Sequence, residues 1–349
     1  MAKPKHIRGI DCEATAAAAI RLVLKSRLEE MCALREQALD FSNPDGIHDM
    51  RVASRRLRSA LRDFSPYVPT RHLLNSLHEI KVLADGLGQV RDQDVAVIAL
   101  DELALKAPRQ VSPGIQAIAT IRRTRRDEAL TQLTRILDQD LVAQLQENFL
   151  AALDSGLSST QTKKSSQGTQ SRKAVTYRDV ARDTILERLK EFEELSDSFY
   201  HPLKAKPLHK MRIATKRLRY ALELFEQCWG KPIAFLARKL AAIQSELGDL
   251  HDCDVWIVDF GGDLASKQAE TGLDEIADQS VALLWLLTHF VKLRTKHFRK
   301  ALQRWKEWEA KDCSGQLRRN VQADLSTAAI TTGKGRITST KTTGPAPAR

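Results

Sequence analysis

Apolar residues recur along most of this chain at steps of three and four, the spacing that keeps one face of a helix buried. The pattern predicts helices over roughly 12–40, 44–65, 71–106 and 113–150, then over roughly 174–198, 207–228, 231–258 and 275–310. Within the second of these, Met50, Ala53, Leu57, Ala60, Leu61 and Phe64 share a face, and Met211, Ala214, Leu218, Ala221, Leu222 and Phe225 do the same later. Asn43-Pro44 and Lys206-Pro207 put proline where a helix can begin, just ahead of a histidine in each case. Leu, Ala, Glu, Arg and Lys are abundant while Gly and Pro are scarce, which leaves few turns for a many-stranded sheet. The expected class is all-α.

Sliding the sequence on itself by 161 residues exposes an internal repeat. His48 to Phe64 reads HDMRVASRRLRSALRDF and His209 to Phe225 reads HKMRIATKRLRYALELF, identical at ten of seventeen positions. A second block follows in near register, LGQVRDQDV from Leu87 to Val95 against LGDLHDCDV from Leu247 to Val255. Two blocks in order imply duplication, so each half should form a helical bundle. The expected organisation is one domain over 10–310, with repeats 10–154 and 174–310. The Ser, Thr, Gln, Gly and Lys of 155–173 read as a flexible linker, and 311–349 as a disordered basic tail.

Charge gives the polar faces a meaning. Fifty-five Lys and Arg against forty-four Asp and Glu leave a formal charge of +11, which favours an anionic partner. Aromatic residues are only 5%, too few to build the stacking platforms of single-stranded nucleic-acid binding, so the composition favours bare phosphate. On the first repeat helix, His48, Arg51, Arg55, Arg58 and Arg62 fall within an arc of roughly 80°. His209, Arg212, Lys216 and Arg219 repeat the stripe. A solvated helix face usually mixes signs, and like charges at these spacings cost roughly 0.2–0.5 kcal/mol per pair. A bound polyanion would offset that repulsion.

The histidines admit three readings: a core or capping residue, a metal ligand or phosphoryl acceptor, and a titratable anion contact near a helix N-terminus. His48-Asp49 is not repeated in His209-Lys210, which weighs against a metal. Asp92 and Asp94, matched by Asp252 and Asp254, could be read as catalytic or metal-binding acids. The favoured reading is structural: one Asp of each pair orients an arginine of the stripe, and Gly88 and Gly248 let two helices approach closely. A third cluster, Arg122 and Arg125 against Arg294 and His297, follows if Ala129-Leu130 is aligned with Ala301-Leu302, and would extend the stripe onto a neighbouring helix. The five cysteines show no C-x-x-C pair and an odd total, so neither a disulfide framework nor zinc is expected, and a reducing cytoplasm fits. No signal-like segment is seen, and the longest apolar run, Val281 to Leu287, is too short to span a bilayer.

His-x-Met-Arg-[Val/Ile]-Ala-[Ser/Thr]-[Arg/Lys]-Arg-Leu-Arg, present twice and followed each time by Leu-Gly-x-x-x-Asp-x-Asp-Val, resembles the CHAD family, the conserved-histidine α-helical domain. The resemblance implies two pseudo-symmetric helical bundles enclosing a basic central channel. It also implies polyphosphate binding and association with polyphosphate granules in bacteria. Carried over by position, the contacts would be His48, Arg51, Arg55, Arg56 and Arg58, with His209, Arg212, Lys216, Arg217 and Arg219 in the second half. Arg62 has Glu223 as its counterpart and Arg91 has His251, so those outer positions should contribute unequally. The expected partner is inorganic polyphosphate, with no cofactor, no bound metal and no membrane. Two rivals stand beside it: a nucleic-acid-binding helical protein, and a phosphoryl-transfer or metal-dependent enzyme using the histidines and aspartates. The Glu-x-Glu-x-Lys motif of triphosphate-processing relatives is not found.

Overall fold

The structure, a computed structural model, describes residues 6–165, 174–270 and 277–323. All regular structure among them is helical, and a lone antiparallel bridge joins Thr15 to Thr176. In the first half the elements are α1 (Ala16–Cys32), α2 (Arg35–Leu39), α3 (Pro44–Asp63), α4 (Leu74–Lys106), α5 (Ser112–Ile136) and α6 (Gln139–Ser165). In the second they are α7 (Tyr177–Glu194), α8 (Ala205–Trp229), α9 (Lys231–Glu270), α10 (Ala277–Ala310) and α11 (Cys313–Gln322). No helix among the described residues is long and apolar enough to cross a membrane.

The repeated helices form where the sequence places them. Asn43 caps α3 by accepting from the Asp45 N–H, with Pro44 in the first turn. Each repeat helix then buries its apolar face: Met50 and Leu57 on α3 with Phe64 just past its end, and Met211, Leu218 and Phe225 on α8, are fully covered.

Three expectations need correction. The stretch expected as one helix over roughly 113–150 breaks between α5 and α6, because Asp138 accepts from the N–H groups of Asp140 and Leu141 and starts a new helix. The expected linker begins too early: residues 155–165 complete α6, with Leu153 and Leu157 buried one turn apart and serine hydroxyls bonded back to carbonyls four residues earlier. The remaining linker positions lie outside the described residues. Likewise the expected tail opens with α11, whose Cys313, Leu317 and Val321 sit four apart and are fully buried. Residues 324–349 lie outside the described residues.

Packing follows the same order in the two halves. In the first, α1 packs on α3, α3 on α4, α4 on α5, and α6 closes on α1 and α4. In the second, α7 packs on α8, α8 on α9, α9 on α10, and α11 closes on α7 and α9. The halves share one apolar core from Ile7 to Val321, joined where Phe64, Tyr177 and Phe225 meet with centroids 5.3–6.3 Å apart. A second core links the ends of the α4–α5 and α9–α10 hairpins through residues such as Leu100, Ile115, Phe260 and Leu286.

The expectation of no disulfide is also overturned. Cys12 is bonded to Cys228, their Cα atoms 5.7 Å apart. The pairing is local to a clasp that sequence distance hides. The N-terminal segment lies along the start of α7, where Arg178 N–H donates to the Cys12 carbonyl and the Arg178 guanidinium donates to the Cys228 carbonyl.

Candidate functional site: a cationic face built from both halves

Pairwise packing of α3 on α8 brings the two stripes together. Arg51 and Arg55 from α3 act electrostatically on Arg212 from α8, and Arg55 and Arg62 act on Lys216. Burial, followed by these like charges, pulls Lys216 down to about 7. Arg51, Arg62 and Arg212 are also held below the ordinary guanidinium range, burial being the first cause in each. Opposing charge is sparse. Asp92 accepts from Arg51 at 3.1 Å, and Asp252 supports Arg212 and Arg51. Neither Arg55 nor Lys216 has an ion pair among the described residues, and the Nε groups of Arg55, Arg62 and Arg217 are buried with no hydrogen-bond acceptor there. Buried donors of this kind are normally satisfied.

The histidines stand at the edge of this face. His48 is held below its ordinary range by burial and then by Arg91, and His209 by burial and then by Arg212 and Lys216. His209 meets His251 of α9, their Nδ1 atoms 3.2 Å apart. Burial, Arg212 and His209 push His251 down to about 4. Arg91 and His251 therefore belong to the face, although the motif reading left them at its margin. Their equivalent places three residues after Gly88 and Gly248 are the signal that could have ranked them higher.

Other candidates are held elsewhere. Arg56 turns toward Glu30, which also binds Arg27, and Arg217 reaches Glu191 at 3.5 Å, which also binds Arg188. The pairs Arg27-x-x-Glu30 and Arg188-x-x-Glu191 lie 161 residues apart, so each repeat helix is braced by the helix that opens its own half. Arg188 also donates to the buried Asp63 at 3.1 Å, tying α7 to the end of α3. Arg219 is buried against Glu223 and the Tyr220 ring, whereas its counterpart Arg58 is exposed. Arg56 and Arg219, expected as ligand contacts, are thus committed to internal charge networks.

The third cluster changes register. Arg126 binds Asp94 and Arg294 binds Asp254, so Arg126, one turn beyond Arg122, occupies the place equivalent to Arg294. Arg122 instead donates to Asp259 and lies over Trp256, and Arg125 is exposed on α5. His297 sits 2.9 Å from Glu246 and 3.5 Å from Asp249. These three side chains have metal-like spacing, and Lys300, 3.8 Å from Glu246, supplies a cation of the chain itself to the two acids. In each aspartate pair the first member faces the stripe and the second holds an arginine of the hairpin. The glycines do not: Gly88 and Gly248 bring no helix close.

Comparison with solved structures supports the fold. The chain is similar to the CHAD domain from the plant Ricinus communis, with a TM-score of 0.60 and 23% identity, covering 86% of this chain and 96% of that one. PptA from Streptomyces chartreusis gives a TM-score of 0.58 at 14% identity, covering 84% of this chain and 100% of that one. No curated protein matches. The family model for the CHAD domain matches residues 22–258, well over half of the chain, and the protein therefore belongs to the CHAD family, a family associated with polyphosphate binding.

Proposed function

We propose that this chain binds inorganic polyphosphate across the cationic face, as a binding protein and not an enzyme, and that it associates with polyphosphate granules. One observation carries the reading: Arg51, Arg55, Arg212 and Lys216 converge from two halves of the chain with fewer carboxylates than cations to answer them. A linear phosphate chain bears a charge on every unit and can meet all four, guanidinium groups chelating oxygens and Lys216 acting as a point charge. None of these residues is aromatic, so the face has bare phosphate to recognise and no platform for bases. Asp92 and Asp252 are engaged with arginines, which favours a supporting role over acid–base chemistry.

Calorimetric titration with long-chain polyphosphate, duplex DNA and ATP in parallel tests this. The expected result is binding of polyphosphate that weakens steeply with salt, as counterions are released. Displacement of polyphosphate by DNA at equal phosphate concentration would overturn the specificity. Shortening of the polymer during long incubation with a divalent metal would overturn the non-enzymatic part.

A further inference from the structure

Glycine inside a helix costs about 1 kcal/mol relative to alanine, so a mid-helix glycine usually serves backbone shape or close packing. Other glycines here show both uses. Gly9 and Gly230 have positive φ. A Cβ at Gly46 would lie 1.8 Å from the Gln37 carbonyl oxygen, and one at Gly86 would lie 3.0 Å from Ile136 Cδ1. Gly88 and Gly248 show neither. Both are in regular helix, on α4 and α9. A Cβ at Gly88 would meet nothing nearer than Arg51 Nε at 3.8 Å, and one at Gly248 would meet nothing within 4 Å.

Their position supplies the missing use. Residues three and four further along a helix share a face, and these are Arg91 and Asp92 after Gly88, and His251 and Asp252 after Gly248. Asp92 binds Arg51, and His251 meets His209. Both glycines therefore front the cationic stripes. A helical glycine offers no free N–H, because its backbone groups are already bonded within the helix. What it contributes is room. We propose that Gly88 and Gly248 set the width of the binding face, being the two points where a bound phosphate chain passes directly over helix backbone. This rests on the polyphosphate reading and adds a specificity: the space suits a chain whose repeating unit is a bare phosphate tetrahedron.

The test uses the full chain and long-chain polyphosphate, with Gly248→Ala, Gly248→Leu, Gly88→Leu and the control Gly261→Leu. Gly261 is also on α9 and also open, about 20 Å further along the helix. Gly248→Ala should raise the melting temperature yet weaken binding a few-fold, a combination that damage to the fold would not give. The leucine variants at 88 and 248 should weaken binding on the order of tenfold or more, the loss of one good contact. Gly261→Leu should bind as the unaltered chain does. Equal binding by the unaltered chain and both leucine variants overturns the proposal, as does equal weakening by Gly261→Leu; loss of fold in a leucine variant leaves Gly248→Ala to decide it. Failure of the unaltered chain to bind polyphosphate would instead sink the function on which the proposal rests.

Discussion

Replacing Lys216 with arginine should remove a large part of the pH dependence of polyphosphate binding. Lys216 faces Arg55 and Arg62 from α3 and Arg212 and Arg217 from α8, and its ammonium titrates at about 7 in the free protein. A polyanion laid across it supplies the opposite charge that the site lacks and raises that value. Where the bound value lies well above the working range, linkage makes the association constant rise about tenfold from pH 8 to pH 6, or ~1.4 kcal/mol. The sign follows from the shift: the free site sheds its proton as pH rises through 7, and binding must then recover it. At pH 7 binding takes up about half a proton at this lysine. Arginine stays charged throughout, and Arg55 shows that the repeat accepts it at the equivalent position. Lys216→Arg should therefore bind about tenfold tighter than the unaltered chain at pH 8 and about equally at pH 6. Titration at constant ionic strength, in two buffers of different ionisation enthalpy, measures affinity and proton uptake together. If Lys216→Arg keeps the full pH dependence, the uptake belongs to His48, His209 and His251, and the buried lysine plays no part in it.

Three other outcomes are expected. Arg51→Ala with Arg55→Ala should weaken polyphosphate binding about as much as Arg212→Ala with Lys216→Ala at pH 6, since all four cations face one ligand; an effect confined to one half, read by titration, contradicts the shared face. Asp63→Ala should cost about 1–3 kcal/mol in chemical denaturation, because it leaves the buried Nε of Arg188 without its acceptor and Arg62 without its nearest acid, while Glu191 still holds the other end of the Arg188 guanidinium; a loss well under about 1 kcal/mol would show that solvent or other acids replace it. Cys12→Ser should cost about 2–4 kcal/mol of stability, as the bond closes a long loop. Polyphosphate affinity should be unchanged by it, because Cys228 lies about 18 Å along α8 from Lys216.

The helical class and the two stripes could be read from the sequence because helix periodicity is local: the same steps of three and four that bury Met50, Leu57 and Phe64 put Arg51, Arg55 and Arg62 on the other side. What could not be read was which cation meets which acid. Arg55 and Arg56 are adjacent and chemically identical, yet only a neighbour far along the chain, Glu30, separates an open site from a braced one. The Arg-x-x-Glu pair at 27 and 188 was a usable signal, sharing the offset of the main repeat, but it lies outside the two prominent blocks. Composition misled at 155–165 and after 311, where single stripes such as Leu153 with Leu157, or Cys313, Leu317 and Val321, bury a helix that looks polar on average. Cysteine parity misled as well, since an odd total says nothing about one pair that the N-terminal segment and the end of α8 bring together.

The differences between the halves then acquire a physical sense. Two facing stripes of arginine would hold fixed charge in a half-buried setting, where repulsion is less screened than in water. At three equivalent positions the second half departs from arginine: Lys216 for Arg55, Glu223 for Arg62 and His251 for Arg91. Each departure lowers the charge of the free protein. Lys216 and His251 can give up a proton, and Glu223 withdraws Arg219 into an ion pair. Guanidinium groups cannot do the first of these. On the proposed function, the face combines permanent cations from α3 and α4 with groups on α8 and α9 that give up charge in the free state and would regain it under a polyanion. Such a division keeps an empty site tolerable without reducing the charge available to an occupied one.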